Sequence, residues 1–460
     1  MSTRIEKDSF GEMEVPVDAI YGIHSLRSRE NFYAAGERLP LEINYGMAKL
    51  KHACATANMR LDLLDAEKGA AIQRACEQVL AGEADDAFLV DIFQAGSGTS
   101  SNMNTNEVIG NLACIQLGGS PGQRELVHPN DHVNKGQSTN NVFPSAIKVA
   151  SVELSGDLEN SARHLIAALR HKQTEFADVI KSGRTHLQDA VPVTMGQAFG
   201  AFARALEKDL ARIEAARERC RELGVGGNAV GTGINTKAAF RGEIIAALNA
   251  TTGESYRVAE DGIETTQFLT DLGDLSAAVR LLAVDVHKIA SDLRLLSCGP
   301  KTGLAELVLP PVEPGSSIMP GKINPSICEA TNMACIQVMG NDQAISIACS
   351  SGQLELNTHM PLIGTNLIKS IQIMTRTCRI LADTCIDGIA ANVERCRTYF
   401  EESAGLATVL NPILGYDKVS ELVKESLKTG MNLRQLALEK EILSEADLDT
   451  LLKKSTGPTL

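Results

Sequence analysis

One segment in the second half of the chain collects side chains that bind anions. Residues 315–325, GSSIMPGKINP, hold two hydroxyls (Ser316 and Ser317), a cation (Lys322) and an amide (Asn324) among glycines and prolines. Proline lacks a backbone donor and glycine has a very free backbone, so a helix does not run through this spacing. The sequence predicts a polar loop here, and such loops often carry function on a rigid scaffold.

Three further stretches are dense in Ser, Thr, Asn and His: residues 96–107 (GSGTSSNMNTNE), 128–141 (HPNDHVNKGQSTNN) and 182–190 (SGRTHLQDA). Each precedes a more apolar segment, which predicts a helix start, where unpaired amides and the helix dipole favour anions. Taken singly, such runs are usually caps and turns. Four of them in one chain, together with Lys322 and His186, predict an anion site.

His186 is weighed separately because a lone histidine is more often structural than functional. This one follows Thr185 and lies close to Asp189 in a polar turn. A partner carboxylate would hold the ring as a cation or fix its tautomer. Glu329, just past the polar loop, is the candidate partner.

Two other sequence patterns do not indicate a binding site. Residues 224–235, GVGGNAVGTGIN, follow a charged helix end rather than a hydrophobic strand, so a dinucleotide-binding fold is rejected. Cys328 and Cys335 lie seven residues apart, and buried helix cysteines explain them better than a metal site. No metal-ligand set and no cofactor motif are recognised.

Composition and net charge argue against some classes of binding partner. The chain has 460 residues and a formal charge of −13, which argues against nucleic acid or an anionic membrane as partner. An anionic substrate therefore needs a local cationic site. The eleven scattered cysteines, the charged N-terminal segment and the lack of a long apolar run predict a cytoplasmic protein with reduced thiols and no membrane span.

Long helices must position these loops. Apolar residues recur at alternating spacings of three and four from Leu272 to Leu296, and similar stripes run from Leu367 to Leu381 and from Phe199 to Ile213. Residues 157–180 predict a further long helix. Such stripes must be buried against one another, which predicts a helix bundle and favours a homo-oligomer.

The chain divides into three predicted regions. Residues 1–138 mix short helices with polar loops, residues 139–395 form the helical bundle, and residues 396–460 form a small helical C-terminal domain. Ser444 with Asp447 resembles a capping box that opens the last helix.

Together and in this order, the four polar stretches resemble the motifs of the fumarase/aspartase superfamily of lyases. The resemblance runs from Ile20-Tyr21-Gly22 to the Ser444 helix. It implies an all-α subunit of three domains and a homotetramer whose central helices form a common bundle. It also implies active sites assembled from three subunits, with residues 315–325 as a lid. Some aspartases respond to divalent cations, so a regulatory metal stays open, but no residues can be assigned to it.

The resemblance also implies a reaction. In this family an amino- or hydroxysuccinate, a small dicarboxylate, loses ammonia or water to give fumarate through a doubly charged aci-carboxylate. By motif position Ser316 is the implied general base, and Glu329 is the implied partner of His186. The carboxylate that becomes the aci-form is assigned to Lys322, Asn324, Thr185 and His186. The other carboxylate is assigned to Thr99, Ser138, Thr139 and Ser317. The leaving group is assigned to Asn140 and His186.

Two positions depart from the family pattern. The family commonly has a small polar residue where this chain has Gly136, and an aspartate where it has Asn141. The second change removes a charge beside the implied leaving-group position.

The motifs favour ammonia as the leaving group. Residues 21–27 (YGIHSLR), 98–100 (GTS) and 352–357 (GQLELN) resemble aspartases, whereas His128 in HPND and His186 resemble fumarases. We therefore favour L-aspartate ammonia-lyase, with fumarate hydratase as the alternative. A lyase acting on an N-substituted aspartate is a third alternative. A catalytically silent structural protein is disfavoured because the implied catalytic side chains are all present.

Overall fold

A computed structural model describes residues 2–403 and 405–456 of the chain. Helices dominate it, which confirms the predicted all-α class. In chain order the helices are α1 (Ile23–Asn31), α2 (Leu41–Arg60), α3 (Ala66–Leu80), α4 (Thr99–Gln116), α5 (Thr139–Glu175), α6 (Met195–Arg219), α7 (Phe240–Thr252), α8 (Glu264–Gln267), α9 (Thr270–Leu296), α10 (Ser326–Cys349), α11 (Met360–Leu381), α12 (Val393–Glu402), α13 (Gly405–Leu414), α14 (Tyr416–Thr429), α15 (Leu433–Glu439) and α16 (Glu445–Ser455).

The strands of the described residues form small two-stranded sheets. The antiparallel pairs are β1 (Thr3–Asp8) with β2 (Gly11–Pro16), β3 (Ile180–Thr185) with β4 (Gln188–Thr194), and β7 (Leu307–Val308) with β8 (Ala390–Ala391). The parallel pair is β5 (Glu222–Leu223) with β6 (Arg257–Val258).

The three predicted apolar stripes lie on helices and are buried. On α9 the stripe is buried from Leu272 to Leu293, and only Leu296 is half-exposed. The stripes on α6 and α11 are buried throughout, including Cys378 as predicted. The heptad spacing therefore identified core positions correctly.

The predicted helix at residues 157–180 had the wrong bounds. The helix α5 begins eighteen residues earlier, at Thr139, and ends at Glu175. Its first turns contain polar residues and Pro144, which interrupt the apolar pattern that marks a helix. Residues after Glu175 lead instead into strand β3.

The chain forms two compact units. The first contains residues up to Glu159 together with Ala211–Leu281 and Gln337–Met374; the second contains Asn160–Leu210, Leu282–Ile336 and the residues from Thr375 onward. In the first unit α2, α3 and α4 enclose an aliphatic core that includes Ile72 and Ile109. In the second unit the C-terminal helices enclose a core of their own around Leu410. The predicted three-domain division stays a prediction.

The last helix begins as predicted. The Ser444 hydroxyl accepts a 3.1 Å hydrogen bond from the Asp447 amide, and α16 follows. Among the described residues, no helix has both the length and the apolar character that crossing a bilayer requires.

Candidate functional site

The loop of residues 315–325 closes on itself. The Gly315 amide donates to the Lys322 carbonyl at 3.1 Å, and the Asn324 side-chain amide donates to the Gly315 carbonyl at 2.7 Å. A Cβ atom on Gly315 would lie 2.3 Å from the Lys322 carbonyl oxygen, so only glycine allows this approach. The glycine predicted as a helix breaker therefore also lets the two ends of the loop meet.

Ser316 lies inside this closed loop with its hydroxyl oxygen bound by backbone donors. That oxygen accepts hydrogen bonds from the amides of Ile318 at 3.1 Å and Met319 at 3.0 Å. Donors aimed at an oxygen favour its anionic form. The loop thus contains the kind of stabilisation that a serine alkoxide requires.

The other polar side chains of the loop face solvent to different degrees. Ser317 and Lys322 are exposed, whereas Asn324 is half-buried because it holds the loop closed. A surface concavity of about 520 Å³ is lined by this loop, including Ser316 and Lys322. An exposed cation that lines the same concavity as the Ser316 hydroxyl can attract an anion to this surface.

Thr185 and His186 lie at the tip of the β3–β4 hairpin, not at a helix start as the sequence predicted. Thr185 pairs with Gln188, and the two residues between them, His186 and Leu187, have φ of +56° and +59°. Two left-handed residues in a two-residue loop form the turn that matches strand twist, so the chain reverses here. The next helix begins only at Met195. His186 is exposed on this turn.

A buried ion cluster anchors the base of this hairpin. Glu306 is fully buried and pairs with Lys181 at 3.1 Å and with Arg184 at 2.8 Å. Arg184 directly precedes Thr185, and its guanidinium lies 5.8 Å from the centre of the Tyr399 ring. Sequence reasoning missed this cluster because Glu306 lies more than a hundred residues after Lys181 and Arg184.

Glu329 lies in the first turn of α10 and has a partner in the chain. Its carboxylate is 3.7 Å from the guanidinium of Arg294, and both side chains are partly exposed. No hydrogen bond or ion pair among the described residues links Glu329 to His186. The pairing of these two residues therefore stays a prediction.

In the first unit, Thr99 begins α4 as the sequence predicted. The residues before it, Ser97 and Gly98, have φ of +61° and +84°, which aims the chain into the helix. A Cβ atom on Gly98 would lie 2.5 Å from the Phe143 ring. The close approach of this turn to α5 explains the glycine.

Ser138, Thr139 and Asn140 form the start of α5, also as predicted. The Ser138 hydroxyl accepts a 3.3 Å hydrogen bond from the Asn140 amide, as at an N-cap. The Asn140 side chain donates to the Ala229 carbonyl at 2.8 Å. The Thr139 hydroxyl accepts from the Asn102 side chain, on α4, at 2.8 Å. This last bond joins the starts of α4 and α5.

A buried lysine lies behind this junction, and sequence reasoning missed it. Lys51, on α2, is fully buried and donates to the side-chain oxygen of Asn102 at 2.8 Å. Burial lowers the pKa of Lys51 to about 8. The available signal was its position among Met47, Leu50 and Cys54, all apolar residues on the buried side of the helix.

The two departures from the family pattern have structural explanations. Gly136 has φ of +70°, and a Cβ atom there would lie 2.8 Å from the Phe240 ring, so a side chain does not fit. Asn141 is buried and donates to the Thr266 hydroxyl at 2.8 Å. Its amide thus faces the interior of the first unit.

The structure therefore collects the predicted residues into local groups. In the first unit, Ser138, Thr139 and Asn140 lie at the start of α5. Thr99 lies at the start of α4, and the Asn102 side chain on α4 donates a hydrogen bond to the Thr139 hydroxyl. In the second unit the residues of the loop form one group. Thr185 and His186 form another, on the hairpin turn.

These features define a lyase of the fumarase/aspartase superfamily, and comparisons with known protein families, sequences and structures agree. A family model described as "Lyase" matches residues 11–340, and one described as "Fumarase C C-terminus" matches residues 406–456. The chain belongs to the fumarase/aspartase superfamily. Enzymes of this family need no organic cofactor.

The relatives carry two activities. The chain is 43% identical to an aspartate ammonia-lyase of Helicobacter pylori, covering 98% of this chain and 97% of the relative. It is 44% identical to a class II fumarate hydratase of Thermosynechococcus vestitus, covering 97% and 96%. The match with a solved "fumarate lyase:delta crystallin" of Brucella melitensis bound to cobalt has a TM-score of 0.96 and 44% identity, covering 99% of this chain and 100% of that one.

The cobalt belongs to that structure. In the described part of this chain, no group of three or more His, Cys, Asp or Glu side chains is arranged to hold a metal ion. Activation by a divalent cation thus has no residues to which it can be assigned.

Proposed function

We propose that this chain is an L-aspartate ammonia-lyase, which eliminates ammonia from L-aspartate to give fumarate. The observation that carries the reaction is the Ser316 hydroxyl, held by the amides of Ile318 and Met319 in a loop that also bears Lys322. A serine acts as a base only if its alkoxide is stabilised, and the two amide donors, together with the cation of the same loop, can supply that stabilisation.

The chemistry proceeds in two steps. The Ser316 alkoxide removes a proton from the carbon beside one carboxylate, and the electron pair of the broken C–H bond moves into that carboxylate to form the aci-carboxylate. The pair then returns to form the double bond as the C–N bond breaks and ammonia leaves. Lys322 and Asn324, with Thr185 and His186, are the proposed donors to the doubly charged intermediate, because preorganised donors stabilise developing charge most.

The other roles follow the motif positions. Thr99, Ser138, Thr139 and Ser317 are proposed to bind the second carboxylate. The helix starts of α4 and α5 support this role for the two threonines and Ser138, because the unpaired amides of a first turn favour anions. Asn140 and His186 are proposed to contact the leaving group, and Glu329 to hold His186.

Ammonia is favoured over water by the aspartase-like segments at residues 21–27, 98–100 and 352–357. Fumarate hydratase is the second candidate, because His128 and His186 match fumarase motifs and class II fumarate hydratases are among the relatives. A lyase of an N-substituted aspartate is the third. The burial of Asn141, the residue on which that alternative depended, weakens it.

We infer that the enzyme is a homotetramer with active sites shared between subunits. The helix α10 is buried on one side, along Cys335, Val338 and Ile345. Its other side exposes Met333 and Ile336, which are 66% and 56% exposed. An exposed apolar stripe on a long helix suits packing against further copies of the helix. Light scattering tests the number of subunits.

A cytoplasmic location is proposed as well. All eleven cysteines are free thiols, nine of them buried. Unpaired thiols persist in a reducing compartment.

Ultraviolet absorbance of fumarate tests the activity directly. Purified protein is incubated with L-aspartate and L-malate in parallel. Turnover of aspartate alone supports the proposal, and turnover of malate alone shows that the enzyme is a fumarate hydratase. Turnover of neither substrate refutes both assignments and directs the search to N-substituted aspartates.

A further inference from the structure

The ammonium group of Lys51 is held entirely by neutral side chains. It donates to the side-chain oxygens of Asn102 at 2.8 Å, Asn134 at 3.3 Å and Gln137 at 3.3 Å. Its three protons thus have three amide oxygens as acceptors. Among the described residues, no carboxylate forms an ion pair with it.

A buried cation without a counterion lowers stability, because desolvation disfavours the charged form. The other buried lysines each have a carboxylate partner: Lys148 and Lys172 lie 2.7 Å from one, and Lys181 lies 3.1 Å from one. Among the described residues Lys51 has no such partner, so an anion from outside the chain, such as a substrate carboxylate, can balance its charge.

Lys51 fixes the direction of the hydrogen bonds that run from its ammonium group through Asn102 to the Thr139 hydroxyl. An ammonium group can only donate, so the oxygen of the Asn102 amide faces Lys51 and its NH2 group faces Thr139. The Thr139 hydroxyl oxygen accepts from that NH2 group. Its own proton is therefore available to donate to an anion at the start of α5.

We propose that Lys51 is a positioning residue that places a buried positive charge behind the start of α5 and, through Asn102, orients the Thr139 hydroxyl toward a substrate carboxylate. The inference rests on the proposed function, in which Thr139 binds the carboxylate that stays unchanged during the reaction. Because that carboxylate is unchanged, the positive charge of Lys51 then stabilises the bound substrate and the transition state equally.

The other titratable side chains that face Lys51 are neutral thiols. The titratable side chains that face it are the thiols of Cys54, on α2, and Cys76, on α3. Burial raises the pKa of both thiols, that of Cys54 to about 12, so they stay neutral. The segments that provide Asn102, Asn134 and Gln137 contribute neutral amides.

The test compares Lys51→Met and Lys51→Gln with the wild-type enzyme. Both variants remove the charge, and the glutamine retains part of the hydrogen bonding. Because only uniform binding is lost, KM should rise at least about tenfold while kcat stays within about threefold. The Kd of fumarate, measured by calorimetry, should rise by the same factor as KM.

Lys172→Met is the matched control, since it removes a buried lysine of the second unit that has a carboxylate partner. It should leave KM unchanged. If either Lys51 variant fails to fold, Asn102→Ala takes its place, because it breaks the link to Thr139. It should raise KM in the same way.

The outcomes separate this inference from the proposed function. A wild-type enzyme that turns over neither substrate but binds fumarate refutes the proposed activity, while weaker fumarate binding by the Lys51 variants still supports the inference. A KM and Kd within twofold of wild type, or a loss confined to kcat, overturns the inference whatever the activity.

Discussion

The backbone amide of Met319 donates a 3.0 Å hydrogen bond to the hydroxyl oxygen of Ser316, three residues before it in the same loop. Ile318 provides a second donor at 3.1 Å. A free serine hydroxyl is a poor base, and these donors favour its alkoxide. The closed conformation of the loop is thus part of the proposed chemistry. Breaking the hydrogen bond between the Gly315 amide and the Lys322 carbonyl would move both donors.

The glycine before α5 gives a prediction about stability. Gly136→Ser introduces the small polar residue common in the family, but here it meets the Phe240 ring in a left-handed backbone conformation. We expect a loss of about 1–3 kcal/mol in the free energy of unfolding. Gly242→Ala is the control, because a Cβ atom there meets nothing within 4 Å on the exposed side of α7. It should stabilise the protein by about 0.5–1 kcal/mol. Equal effects of the two substitutions would contradict the packing argument.

The buried cluster under the hairpin gives a second prediction. Glu306→Gln leaves the buried Lys181 and the partly buried Arg184 without their shared carboxylate. We expect the free energy of unfolding to fall by about 3–5 kcal/mol. Turnover should fall as well, because the hairpin carries Thr185 and His186. Urea denaturation measures the first effect.

The control for this experiment is Glu12→Gln, which disrupts an exposed pair with Lys7. Surface pairs contribute little, so its effect should stay within about 0.5 kcal/mol. A Glu306 variant that is as stable as this control would show that the cluster does not anchor the hairpin.

Lys51 gives a prediction about pH. Burial lowers its pKa from 10.5 to about 8, so between these values the folded state binds fewer protons than the unfolded state. Through this window Lys51 should therefore contribute a rise of about 3 kcal/mol to the free energy of unfolding of the ligand-free enzyme, against the opposite contribution of the buried thiols. In Lys51→Met this contribution should be absent, so the difference in free energy of unfolding between the two proteins should change by about 3 kcal/mol between pH 8 and 10.5. Denaturation curves for both proteins at several pH values check it, and equal pH slopes would contradict it.

The sequence predicted the helices better than the turns. The apolar stripe on α9 identified its core residues because a buried helix face imposes a fixed period on the chain. The hairpin at Thr185 was missed because its two-residue turn, His186-Leu187, lacks the glycine that usually marks such turns. The polar stretch at residues 128–141 predicted a helix start correctly, but the bounds 157–180 placed the long helix too late because polar residues and Pro144 interrupt the apolar pattern of its first turns.

The site was predictable only in part, for a related reason. The polar stretches that contain Ser316, Thr139 and His186 stand out in local composition because each is contiguous in the chain, whereas the roles of these residues stay predictions. Lys51 and Glu306 act through residues distant in sequence, so their partners depend on the fold. A single sequence contains no direct record of such contacts.

The most direct test of the central claim is the rate of fumarate formation from L-aspartate by the wild-type enzyme and by Ser316→Ala. We expect rapid turnover by the wild type and a loss of at least about a thousandfold in kcat for the variant, because the proton on carbon then has no base. The melting temperature and subunit number should not change, since Ser316 lies in a surface loop. Turnover by Ser316→Ala close to that of the wild type would contradict the assignment of Ser316 as the base.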